Sequence, residues 1–76
     1  MAFGNQKTID VLGIVELFGG KHQIVADHEK LLRQVLTVKA VEKWLERDSI
    51  SITQVLNLKT IAEKKGIEFN FEEFIK

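Results

Sequence analysis

The strongest constraint in this chain is that apolar residues recur with helical spacing in short runs, each bounded by glycine or by a capping residue. Proline is absent, so these residues take over the role of ending helices. Val41 and Trp44 are three apart, as on one helix face, and the hydroxyl of Thr37 suits the cap before them. Gly66 suits the left-handed conformation that ends many helices. The pattern predicts an all-α fold.

Five short helices around one core are predicted from these signals. They cover residues 9–18, about 22–33, about 37–44, 52–65 and 71–75. The residues assigned as N-terminal caps are Thr8, Thr37, Ser51 and Asn70. Gly13 lies inside the first run, where it either weakens the helix or lets another part of the chain come close. Residues 1–7 are predicted to form a loose N-terminal arm.

Length and composition limit what else the chain can be. Its 76 residues make a single domain, spanning 1–76, and the absence of cysteine excludes disulfides and cysteine metal sites. His22 and His28 are six residues apart, which does not put both on one helix face, so we expect no metal and no cofactor. Small domains without such crosslinks often gain stability by pairing, and we therefore expect a homodimer.

The charge balance gives no direct support to nucleic-acid binding. The chain has 11 basic and 11 acidic residues and a formal net charge of zero. A basic face is usual in DNA-binding domains, but the distribution of charge matters more than its sum. No cationic start leads into an apolar run, and no stretch approaches the 18 apolar residues of a membrane span. We expect a cytoplasmic, nucleoid-associated protein that does not enter a membrane.

Catalytic motifs are missing from the sequence. It contains no nucleophile with a placed base and no glycine-rich phosphate loop, so we expect neither an enzyme nor a small-molecule ligand. The run Thr37–Val41 is similar to the last helix of acyl carrier proteins. Their Asp-Ser-Leu attachment site is replaced here by Asp10-Val11-Leu12, which has no serine for the prosthetic group, and we rank this hypothesis low.

Three motifs together resemble a family of small regulators. The chain reads Phe18-Gly19-Gly20, then a helix, then Ala40-Val41-Glu42-Lys43-Trp44, and its tail begins at Gly66-Ile67 and continues through an apolar residue and a cap to Glu72-Glu73-Phe74. This pattern is similar to the Cro-type phage repressors and to the small Cro-like regulators of the YdaS kind. The resemblance implies a helix-turn-helix of the lambda-repressor-like DNA-binding class. It also implies a sequence-specific transcriptional regulator, of the phage or prophage repressor type, that binds double-stranded DNA as a dimer.

The chain departs from that pattern at three places. The stretch from Gly20 to Trp44 is longer than usual. The glycine of the turn before the recognition helix is replaced by Gln34-Val35-Leu36. Asp48 and Ser51 stand where the family has glycine and proline.

The resemblance also assigns roles to residues, because the first residues of a recognition helix reach base edges in the major groove. The residues expected to read bases are Thr37, Val38, Lys39, Glu42 and Lys43. The residues expected to contact phosphates, which position a protein on DNA, are Lys21, His22, Gln23, Arg47 and Ser49. Each of these charged and polar residues has an alternative interpretation as part of an ordinary solvated surface.

Two further interpretations follow from the apolar residues and the neutral charge. Trp44 is expected to anchor the third helix in the core, and residues 69–75 are expected to contribute to a dimer contact. A second functional hypothesis is a protein-interaction module, in which the helix-turn-helix scaffold binds another regulator or a host protein instead of DNA.

Overall fold

Helices make up most of residues 8–75, the part of the chain that the computed structural model describes. The α-helices are α1 (Val11–Leu17), α2 (Lys21–Asp27), α3 (Val38–Arg47) and α4 (Ile52–Lys65). A π-helical segment, His28–Leu32, continues α2, and Phe71–Phe74 forms a 3-10 turn. Within the described residues, β pairing is limited to an isolated antiparallel bridge between Ile9 and Ile75. The predicted all-α class is confirmed, whereas the predicted fifth helix is a single 3-10 turn. The predicted arm, residues 1–7, lies outside the described part of the chain.

The first helix begins later than predicted, and Thr8 is not its cap. Asp10 is the cap, because its Oδ1 accepts a hydrogen bond from the backbone N–H of Gly13 at 3.1 Å. The cause lies at the other end of the chain, where Ile9 pairs with Ile75 and the Asp10 N–H donates to the Phe74 carbonyl at 2.7 Å. This pairing holds Ile9 extended, so the helix starts only after Asp10.

The second predicted helix is continuous, but its geometry changes halfway. His28 begins the π-helical segment and is buried, and its Nδ1 donates to the Ile24 carbonyl at 2.8 Å. Arg33 ends the segment in the left-handed conformation, with φ at 56°. The residue that turns the chain is therefore Arg33, one position before the Gln34–Leu36 stretch that replaces the expected glycine.

The remaining helix ends follow the predicted signals. Thr37 Oγ1 accepts from the Ala40 N–H at 3.1 Å, and Ser51 Oγ accepts from the Gln54 N–H at 3.3 Å. Gly66 ends α4 with φ at 71°. Asp48 ends α3 in the left-handed conformation, which glycine adopts more easily than other residues.

Phe18 lies at the centre of the core. It is 1% exposed, and its ring meets the edge of Phe69 with centroids 5.2 Å apart. Each of the four α-helices contributes to the same cluster of buried side chains. The fully or nearly fully buried members include Val11, Ile14, Ile24, Val41, Leu58 and Ile61. Trp44 is half-buried and packs against this cluster, in agreement with its predicted role.

A buried ion pair joins α2 to the end of α4. Asp27 is 5% exposed, and its Oδ2 lies 2.7 Å from Lys65 Nζ. Gln23 Nε2 donates to the other carboxylate oxygen, Oδ1, at 3.0 Å. A buried carboxylate is tolerated when it is paired and hydrogen-bonded in this way. The pair therefore links the end of α2 to the end of α4, next to the π-helical segment that packs against α4.

Gly13 is required where α1 meets the 3-10 turn. A Cβ at this position would lie 2.5 Å from Asp10 Oδ2 and 3.3 Å from Phe74 Cε1. We expect Gly13→Ala to lower the free energy of unfolding by on the order of 1 kcal/mol, because overpacking outweighs the gain in helix propensity. Thermal unfolding followed by circular dichroism measures this. Gly13→Ala combined with Asp10→Ser should recover part of the loss, and a single variant more stable than the wild type would contradict the expectation.

Arg33 is strained, because a side chain with a Cβ is unfavourable in the left-handed region. We expect Arg33→Gly to raise the free energy of unfolding by about 0.5–1 kcal/mol. Urea denaturation gives the value. Arg33→Ala is the matched control, since it removes the same side chain but keeps the strain, and equal stability of the two variants would refute the explanation.

Candidate nucleic-acid interface

The exposed face of α3 carries two parallel strips of opposite charge. Lys39, Lys43 and Arg47 follow the i, i+4, i+8 spacing that keeps side chains on one side of a helix. Glu42 and Glu46 form a second strip beside them. All five side chains belong to exposed residues, whereas Val41, on the other side of the helix, is fully buried. The packing of α3 therefore turns its whole charged face outward.

At the start of α3 the capping side chain already accepts its hydrogen bond, whereas two lysines have no ion-pair partner among the described residues. The Thr37 hydroxyl oxygen is engaged by the Ala40 N–H, and Val38 is half-buried. Lys39 and Lys43 lie one turn apart and line a shallow depression together with Thr37. Of the residues predicted to read bases, these two lysines are exposed cations without an ion-pair partner among residues 8–75.

An ion pair links the predicted reading face to α2. Lys21 Nζ lies 2.6 Å from Glu42 Oε2, and the two side chains are 37% and 46% exposed. The hydrogen bond and the charge of Lys21 lower the pKa of Glu42, and the charges of Lys39 and His22 act in the same direction. The structure thus gathers residues from both predicted sets around one carboxylate.

Gln23 lies on the same helix as Lys21 but is used differently. Its side-chain amide donates to Asp27, which ties it to the buried ion pair of α2 and α4. The residue as a whole remains exposed. Its predicted phosphate contact therefore competes with a hydrogen bond inside the protein.

Arg47 and Ser49 lie at the far end of α3. Arg47 is in the last turn, and the Ser49 backbone N–H donates to the Trp44 carbonyl at 3.2 Å. At 1.5 Å per residue, Arg47 is about 12 Å along the helix axis from Lys39. Both residues are exposed. The residues predicted to contact phosphates therefore form two separate groups, one beside the first turns of α3 and one at its C-terminal end.

Two basic residues ahead of α3 were not predicted as site residues. Lys30 and Arg33 line an open cleft with Glu29, Gln34 and Val35, where the π-helical segment turns into the connection before α3. Sequence reasoning treated them as part of an ordinary helix, since the π-helical geometry leaves no simple pattern. The available signal was their position directly before the predicted recognition helix.

Other kinds of site receive no support from the described residues. Within residues 8–75, histidine and carboxylate side chains do not gather in groups that hold a metal ion. In the same part of the chain, no helix has both the length and the apolar character needed to cross a membrane.

Comparisons with protein-family models, with curated proteins and with solved structures gave no match to this chain.

The Lys21–Glu42 pair can be tested by titration. Because Lys21 favours the charged carboxylate, the pair persists as pH falls through the ordinary glutamate range and is lost only below the lowered pKa. We expect the Glu42 carboxyl signal in NMR to titrate below the usual glutamate value, and Lys21→Gln to raise its midpoint. Lys59→Gln is the control and should leave it unchanged. A Glu42 midpoint that is insensitive to Lys21→Gln would show that the pair does not form in solution.

Proposed function

We propose that this protein is a sequence-specific regulator that binds double-stranded DNA through α3. The observation that carries the proposal is the strip of Lys39, Lys43 and Arg47 on the outward face of a helix that the core holds from behind. An α-helix fits the major groove of B-DNA, and cations on its outer face meet base edges and phosphates there. In the resembled family such a protein acts as a dimeric repressor, and we propose the same action here.

Each residue of the interface has a chemical role in this proposal. Lys39 and Lys43 donate to guanine O6 and N7 from the first turns of α3. Val38 offers its exposed methyl surface to a thymine methyl, and Thr37 donates its hydroxyl proton to a phosphate while its oxygen caps the helix. Glu42 accepts from a cytosine amino group through Oε1, the oxygen that Lys21 leaves free.

The phosphate contacts lie on two sides of the reading face. His22 and Lys21 lie at the start of α2, whereas Arg47 lies in the last turn of α3 and Ser49 lies just past its end. Lys21 has a second effect, because it offsets the Glu42 charge that would otherwise repel phosphates. Lys21 therefore contributes to both affinity and the placement of a base-reading carboxylate.

The acidic strip favours a second candidate function. Glu42 and Glu46 lie beside the cations on α3, and the chain has no net charge. A protein-interaction module would use both strips, since a partner with alternating charge could pair with each. This candidate predicts that DNA is not bound and that α3 variants lose a protein partner instead.

DNA binding can be measured by fluorescence anisotropy with a pool of short random-sequence duplexes and with the best sequence selected from that pool. We expect affinity for both to fall as salt rises, because phosphate contacts release counterions. Lys39→Ala should weaken binding to the selected sequence by about 1–3 kcal/mol. It should also reduce the ratio of the affinity for the selected sequence to the affinity for the random pool.

Lys64→Ala is the matched control, because Lys64 is an exposed lysine on α4 away from the interface. It should change neither affinity nor preference. The proposed reading face would be rejected by an absence of DNA binding or by binding whose affinity does not change with salt. Equal losses of DNA affinity from Lys39→Ala and Lys64→Ala would also reject it. Absence of binding would favour the interaction module.

A further inference from the structure

The outer face of α4 exposes two large aliphatic side chains one helical turn apart. Ile52 is 72% exposed and Leu56 is 55% exposed, whereas Leu58 and Ile61 of the same helix are fully buried. Single exposed aliphatic residues are common on protein surfaces, but neighbouring ones beside a depression mark interaction sites. Ile52 and Leu56 therefore form an exposed apolar pair on the outer face of α4.

A groove runs between this face and the chain after α4. Ile52, Leu56 and Lys59 form one wall, and Phe69, Phe71 and Glu72 form the other. Phe69 and Phe71 are half-buried, and their rings meet edge to face with centroids 6.4 Å apart. No residue of α3 lines the groove. The feature, which we call the α4 groove, is thus an apolar channel separate from the candidate DNA interface.

The two walls of the α4 groove carry opposite charges. Lys59 is on the α4 wall and Glu72 is on the wall formed by the 3-10 turn, and both residues are exposed. The ion pairs of residues 8–75 are Lys21–Glu42 and Lys65–Asp27, so neither Lys59 nor Glu72 is paired within the described chain. Each charge is available to a partner that brings the opposite sign.

We propose that the α4 groove is the interface with a second copy of this chain. With a two-fold axis through the groove, the wall that α4 forms in one copy faces the wall that Phe69, Phe71 and Glu72 form in the other copy. Leu56 then packs on the partner's Phe71, and Lys59 pairs with the partner's Glu72. A partner of one charge sign would leave one wall unmatched, whereas an identical surface turned by the axis matches both. The small size of the chain favours such pairing.

This inference deepens the dimer of the proposed function but does not depend on DNA binding. It also changes the predicted contact, because residues 69–75 supply only one wall and α4 supplies the other. A dimer built in this way leaves the charged face of α3 uncovered in both copies.

The test is sedimentation equilibrium of the full chain without DNA over a range of concentrations. The wild type should associate to a dimer and no further. Lys59→Glu and Glu72→Lys should each weaken dimerisation by at least about tenfold, because each places like charges opposite one another. The double variant Lys59→Glu/Glu72→Lys should restore it. Lys64→Glu makes the same charge change on the same helix outside the groove and should leave dimerisation unchanged.

Circular dichroism confirms that each variant keeps its helices. A wild type that stays monomeric, a double variant as weak as the single ones, or an equal loss from Lys64→Glu would overturn the inference. DNA binding by a monomeric wild type would overturn the dimer and leave the DNA proposal standing. A dimer that shows the expected charge-swap behaviour but does not bind DNA would support the α4 groove as the dimer interface and overturn the DNA proposal.

Discussion

The buried carboxylate of Asp27 is the constraint on which the arrangement of the helices depends. It is held by Lys65 at 2.7 Å and by Gln23 at 3.0 Å, so α2 and the end of α4 stay together. Removal of Lys65 would leave the buried Asp27 carboxylate without its ion-pair partner, which is unfavourable. Because α2 also packs against α3, the helix that this pair links to α4 supports the back of the helix that carries the charged face.

The neutral net charge conceals an ordered distribution of charge. On α3 the cations occupy one strip and the acids the next, and Lys21 reaches from α2 to offset Glu42. A charge count treats these groups as equivalent, although a nucleic acid meets them one strip at a time. The α4 groove repeats the principle with Lys59 and Glu72 on facing walls, where balanced charge suits a copy of the same surface. Neutrality is therefore compatible with both proposed contacts.

The site was predictable only in part from the sequence. Helical spacing separated Lys39, Lys43 and Arg47 from the core-facing stripe of Val41 and Trp44, since positions on one helix follow from its geometry alone. The same pattern did not indicate Lys30 and Arg33, which line the cleft before α3. The reason is that it predicted a regular α-helix where the structure has the π-helical segment. It also treated Lys21 as a phosphate contact, since a residue 21 positions away along the chain gives no sign of pairing with Glu42.

The sequence by itself determined the helix ends at Thr37, Ser51 and Gly66, because each cap bonds to backbone groups within a turn or so of its own position. It also determined the all-α class through the spacing of its apolar residues. Only the tertiary structure decided that α1 starts after Asp10, since the extended backbone of Ile9 is set by Ile75 from the opposite end of the chain. The physical reason is range: local hydrogen bonds are encoded in neighbouring residues, whereas contacts between distant residues exist only once the chain has folded.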